Sequence, residues 1–133
     1  MGVSCGLWLS RRTLWASIVD GDGKHLASFP AARTDAARCN LLAHVSEHHG
    51  LDCSLVLTDA HARIDNVANL ALERDMSVWL APWRSVHAVR VITGMATGPP
   101  RRTAIALARM QLHPLFRAQL RKLERDRRQL TLL

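Results

Sequence analysis

The sequence predicts an α/β domain: a mixed five-stranded sheet, three antiparallel strands followed by two parallel ones, with flanking helices and a basic C-terminal helix. Three observations carry this. Residues 1–29 hold three short apolar, β-branched runs separated by turn residues, the pattern of an antiparallel meander. Two later runs, Ser54–Thr58 and Ser77–Ala81, are too short for helices and nearly apolar throughout, as parallel strands covered on both faces are. Helical spacings separate and follow these runs, and 133 residues can bury one core without disulfide or metal support.

Taken in order, Cys5–Ser10 and Thr13–Val19 are strands on either side of an Arg11-Arg12 turn. Asp20-Gly21-Asp22-Gly23 supplies residues that tolerate positive φ, as a tight hairpin requires, and a third strand runs from His25 to Phe29. Thr34 or Asp35 caps a helix to about His49, with Leu41, Leu42 and Val45 on its apolar stripe and Gly50 as its stop. After the Ser54–Thr58 strand, Asp59 is the expected N-cap of a helix bearing Ile64, Val67, Ala68, Ala71 and Leu72 and ending near Asp75. Pro82 ends the Ser77–Ala81 strand, Ser85 caps a helix through Val86, Val89 and Ile92, and Gly94–Pro100 is a breaker-rich loop. Thr103–Leu112 and Pro114–Leu130 form a final helical pair, with Pro114 in a first turn where its missing N–H is not needed. Residues 1–112 are expected to form the domain, and residues 113–133 a basic amphipathic helix packed on it or continuing it.

Charge and cysteines narrow the function classes. The net charge is +7, yet residues 1–100 carry nine Lys/Arg against nine Asp/Glu, so the excess lies in the last quarter of the chain. An anionic partner is expected to meet that end. Cys5, Cys39 and Cys53 are an odd set without a CxxC pair, which fits reduced core thiols rather than a zinc knuckle. No apolar run approaches a membrane span and no signal-peptide pattern opens the chain, so the expectation is a cytoplasmic protein with no membrane partner.

Several segments stand in a specific order: Gly6-Leu7-Trp8-Leu9-Ser10, Arg11-Arg12-Thr13-Leu14, Asp22-Gly23-Lys24, Leu55-Val56-Leu57-Thr58-Asp59-Ala60, Trp79-Leu80-Ala81-Pro82, Gly98-Pro99-Pro100-Arg101-Arg102-Thr103-Ala104 and Leu107-Ala108-Arg109-Met110. Over about residues 5–112 this order resembles the RNase H-like core, and in particular that of the Asp-Glu-Asp-Asp transposases of insertion sequences and the Piv-type invertases. A strand, a turn and an Asp-Gly hairpin also open the RuvC-like resolvases and the actin-like ATPases.

The resemblance implies where the family's metal-binding acids would stand. The first falls at Trp8, the second at Thr58 or its neighbour Asp59, and the last two at Pro100 and Thr103. Phosphodiester cleavage in this fold uses carboxylates that hold two metal ions about 3.5–4 Å apart. An indole and a pyrrolidine ring supply no oxygen ligand, and one Asp cannot hold two ions. Asp20 and Asp22 read as turn residues. His61 and Asp65 share a helix face but have, with Asp59, no further strong ligand in sequence reach. No nucleophile elbow or phosphate-cradling glycine loop is present. The expectation is a protein that is not an enzyme, with no cofactor and no metal.

The remaining expectations concern binding. Phe116, Leu120, Leu123 and Leu130 line one side of the Pro114–Leu130 helix and are a candidate self-association stripe. Arg117, Arg121, Lys122, Arg125 and Arg128 occupy its other sides, and Arg84, Arg90, Arg101 and Arg102 extend a candidate nucleic-acid patch. Trp8, Trp15 and Trp79 are expected in the core and Trp83 at the surface. The function read from these features is a catalytically inactive RNase H-like domain that binds nucleic acid, a protein partner or a second copy of itself, in a regulatory or assembly role derived from a mobile-element recombinase. The alternatives are a metal-dependent nuclease using other acids and a purely protein-binding adaptor.

Overall fold

The computed structural model describes residues 2–49, 53–92 and 98–124. β1 (Ser4–Leu9), β2 (Thr13–Val19) and β3 (His25–Ala32) form the expected antiparallel meander, with Trp8 opposite Trp15 and Trp15 opposite Pro30. The Asp20 carboxylate accepts from the backbone N–H groups of Asp22 and Lys24, both at 2.9 Å, and Gly23 takes a φ of +84°. Its neighbour Asp22 sits within the same turn, so this acidic segment shapes the hairpin.

Thr34 Oγ1 accepts from Ala37 N and caps α1 (Asp35–His49). β4 (Ser54–Thr58) then returns parallel to β1, and β5 (Val78–Ala81) parallel to β4. The sheet order is β3-β2-β1-β4-β5-β6, one strand more than the sequence suggested. The sixth, β6 (Arg121–Leu123), lies antiparallel on β5.

That strand corrects the expected Pro114–Leu130 helix. Helix α6 spans only Pro114–Arg117, and Leu120 leads into β6. A buried strand such as β5 needs partners for its outer N–H and C=O groups, and β6 supplies them. Leu123 pairs with Val78 and packs into the core, whereas Lys122, opposite Trp79, is exposed. Arg125, Arg128 and Leu130 lie outside the described residues.

The helix expected from Asp59 to Asp75 is two helices, α2 (Asp59–Ile64) and α3 (Val67–Glu73). Asp65 breaks it by taking extended backbone angles while its carboxylate accepts from Val67 N at 2.9 Å. The N-cap of α2 is Thr58, whose Oγ1 accepts from His61 N at 3.1 Å, rather than Asp59. Ile64, expected on the apolar stripe, is exposed.

Alternation along the strands gives the sheet two apolar faces. Leu7, Leu9, Leu14, Ile18, Leu55 and Leu57 face α1 and α3. On the other face, Val56 and Ala81 meet α4 (Ser85–Ile92) and α5 (Pro100–Arg109) through Val86, Val89, Ala106 and Leu107. Gly6 lets α5 lie directly on β1: a Cβ there would overlap the Ala104 carbonyl oxygen and stand 2.7 Å from Ala108 N. Cys5, Cys39 and Cys53 are free, and hydrogen bonding of the Cys5 thiol to the Cys53 sulfur, reinforced by burial, pushes the Cys5 thiol well above its ordinary pKa. Among the described residues no helix is long and apolar enough to cross a membrane.

Candidate functional site

In an open sheet with parallel strands, the crevice at the strands' carboxyl ends, where the connections diverge, is the natural ligand site. Here the chain leaves β1 toward β2 on one side, while β4 pairs on the other. The carboxyl ends of β1, β4 and β5 therefore bring together Trp8, Thr58, Asp59, His61 and Trp83 from three separate segments.

The side chains at this edge form a close aromatic group. Trp8 and Trp83 stack with centroids 5.5 Å apart and planes 13° from parallel. His61 meets Trp8 edge-on at 4.6 Å and Trp83 at 5.2 Å. Leu9 N donates to His61 Nδ1 at 3.3 Å, so that nitrogen is unprotonated in the neutral ring and Nε2 carries the proton. Burial, helped by the nearby positive charge of Arg33 and opposed by Asp65, holds the His61 pKa below its ordinary value. The Asp59 Oδ1 atom accepts from Ala60 N at 2.7 Å and from Trp83 N at 3.1 Å, which ties the segment after β5 to the end of β4. Trp83 is 51 % exposed, as its sequence position suggests, whereas Trp8, Trp15 and Trp79 are half-buried.

The positions at which the resemblance puts acids are not all used alike. Trp8 packs in the aromatic group, Thr58 is a buried cap, and Asp59 braces Trp83. Pro100 opens α5 and Thr103 is buried one turn on. An indole, two hydroxyls, a proline ring and one carboxylate do not fit a pair of Mg²⁺ sites. Asp59, His61 and Asp65 each have other partners, and among the described residues no three His, Cys, Asp or Glu side chains gather.

The basic residues expected in one patch divide into two groups. Arg84 follows Trp83 and is exposed beside the aromatic group. Arg101 and Arg102 are exposed in the first turn of α5. That helix runs from Ser17, whose hydroxyl donates to Arg101 O, toward Gly23, which lies near Leu112, so its first turn opens toward this same end of the sheet. Arg90 is half-buried on α4. Arg117, Arg121 and Lys122 are exposed on the β6 side of the sheet, with Arg121 opposite Leu80 near the carboxyl end of β5 and Lys122 opposite Trp79. Arg11 and Arg12, exposed in the β1–β2 turn at the carboxyl end of β1, join the first group; their sequence signal was an ordinary turn. His61 was also missed as an aromatic partner, because nothing in its local sequence ties it to Trp8. The proposed stripe is not a helix face: Phe116 is buried, Leu120 packs on the α5 side of the sheet and Leu123 on the α1 side.

Comparisons with known proteins place the fold. No protein-family model matches the chain and no curated protein matches it in sequence. Among solved structures, Thermus thermophilus RuvC in complex with Holliday junction substrate is similar at a TM-score of 0.61 and 15% identity, over 92% of this chain and 100% of that one. A second Thermus thermophilus RuvC structure is similar at 0.60 and 19%, over 91% and 99%. At such identities the likeness shows the fold, which is RNase H-like; these two neighbours are RuvC and do not support the narrower transposase or invertase resemblance. One expectation is overturned. Replaced acids pointed to a protein that is not an enzyme, but the neighbour that matches over its whole length is described with a substrate. The absence of carboxylates at Trp8, Pro100 and Thr103 speaks only to a two-metal centre built at those positions.

Proposed function

We propose that this chain binds nucleic acid at the carboxyl ends of β1, β4 and β5, as one domain in which residues 113–124 belong to the same unit as the sheet, and that it works in the cytoplasm. The observation that carries the reading is the gathering of exposed Arg11, Arg12, Arg84, Arg101 and Arg102 around one end of a RuvC-like sheet. Guanidinium groups bind phosphate in a bidentate fork, and several of them at one edge give affinity that needs no base sequence. The RuvC neighbour's Holliday junction supports nucleic acid as the ligand class. The order of the Gly6–Ser10, Leu55–Ala60 and Pro100–Met110 segments supports descent from a mobile-element recombinase.

The test is fluorescence anisotropy of labelled duplex and four-way-junction DNA at two salt concentrations. The wild-type chain should bind at low salt and weaken steeply as salt rises. The double variant Arg11→Ala/Arg12→Ala should lower the slope of log affinity against log salt by roughly 0.9 for each phosphate that it no longer neutralises. No binding at low salt would overturn the proposal. The substrate-bound neighbour also favours a second reading, a metal-dependent nuclease using other acids. It predicts Mg²⁺- or Mn²⁺-dependent cleavage in the same mixtures, abolished by Asp59→Ala.

A further inference from the structure

Most of the aromatic group is explained by packing, but Trp83 is not. Trp8 and His61 are half-buried and buried, as side chains that fill space are. Trp83 covers Trp8 with one face of its indole and leaves half of its surface in water. An indole with one face packed and the other wet is the kind of side chain that interfaces are enriched in. Its setting is nevertheless fixed: the Asp59 carboxylate holds its backbone N–H at 3.1 Å, Trp8 lies beneath the ring, and His61 meets it edge-on at 5.2 Å. A ring held in this way loses little freedom when a second flat ring stacks on its outer face.

We propose that the outer face of the Trp83 indole, backed by Trp8 and braced by His61, is a stacking platform for an unpaired nucleobase of the bound nucleic acid. This rests on the nucleic-acid reading above and adds to it the kind of substrate: single strands, or duplexes with a base displaced from the stack. Every nucleobase offers a flat π surface, so stacking of this kind tolerates any sequence. The exposed Arg84 next in the chain, and Arg11 and Arg12 in the adjacent turn, meet the phosphates on either side of the stacked base. Within a fully paired duplex both faces of each base are already covered, and the platform has nothing to receive.

The experiment compares three probes of equal length on the full chain: a single-stranded oligodeoxynucleotide, the same backbone with abasic residues, and the fully paired duplex. The abasic strand keeps the phosphates and removes the rings. The platform predicts that the base-bearing strand binds roughly ten-fold or more tighter than the abasic one, that it quenches tryptophan emission, and that Trp83→Ala removes both effects. Trp83→Phe should restore part of the preference. Duplex binding should be the same for wild type and Trp83→Ala, which also reports that the variant is folded. Equal affinity for base-bearing and abasic strands, with duplex binding intact, overturns the platform and leaves the nucleic-acid reading standing. No binding of any probe overturns both. A free nucleoside monophosphate that quenches emission as well as the strand does would reassign the platform to a soluble nucleotide and overturn it as a polymer site.

Discussion

Arg38 on α1 grips the buried carboxylate of Asp65 through two parallel hydrogen bonds, Nε to Oδ1 at 2.9 Å and Nη2 to Oδ2 at 2.8 Å. The same carboxylate accepts from Val67 N and so starts α3. One ion pair thus breaks a helix, sets the direction of the next and fastens both to α1. The bond to Asp65 is also the main reason the Arg38 pKa rises above its ordinary value. Arg38→Ala leaves a buried charge with Arg33 at 3.6 Å as its remaining cation, and should cost about 3 kcal/mol in urea unfolding. Arg38→Lys should recover only part of this, because an ammonium cannot make the two-pronged contact. An unchanged midpoint in Arg38→Ala would show that the pair does not hold these helices.

His61 makes stability depend on pH. Its pKa is lower folded than unfolded, so between the folded value and about 6.5 the unfolded chain binds more protons. Stability is therefore full above that range and falls as pH drops through it. The unfolding midpoint in urea should decline on acidification below about pH 6.5, and the decline should be smaller in His61→Gln. Equal slopes in the two proteins would assign the pH dependence elsewhere.

Gly6 tests how closely α5 lies on the sheet. In Gly6→Ala the new methyl meets backbone atoms of Ala104 and Ala108, which cannot turn aside as a side chain can. A loss of about 3 kcal/mol or more is expected in thermal or urea unfolding. A near-wild-type melting temperature would mean that α5 can lift from β1.

Phe116 separates a core residue from an association surface. It is 5 % exposed and packs with Val86, Val89 and Met110. Phe116→Ala should lower stability by about 3–5 kcal/mol. A stable variant with an altered sedimentation coefficient would instead restore the self-associating stripe.

Much of the fold was legible because its signals are local. The Asp20–Gly23 turn, the Thr34 cap and the apolar runs of β4 and β5 each draw their effect from residues a few positions apart. The elements misread are those whose fate depends on distant partners. The spacing from Asp59 to Asp75 suits one helix until Arg38, 27 residues before Asp65, is brought beside it. Phe116, Leu120 and Leu123 recur at helical spacing, yet the unpaired outer edge of β5 draws Arg121–Leu123 into the sheet. Arg117, Arg121 and Lys122 stand on the β6 side for the same reason.

Short-range signals in the chain were enough to specify an α/β protein with an antiparallel opening, two buried parallel strands and arginines set apart from the apolar faces, because hydrophobic period and turn chemistry act over short distances. Folding in three dimensions was needed to make one group of Trp8, His61 and Trp83, with Arg11 and Arg12 following the carboxyl end of β1 and Arg84 that of β5 in one sheet. Those residues belong to separate segments, and their meeting follows from the pairing of β4 and β5 beside β1, which carries the carboxyl ends of all three strands to the same edge. Strand pairing is a long-range choice driven by burial on both faces of the sheet, and no local pattern records which strand will lie next to which.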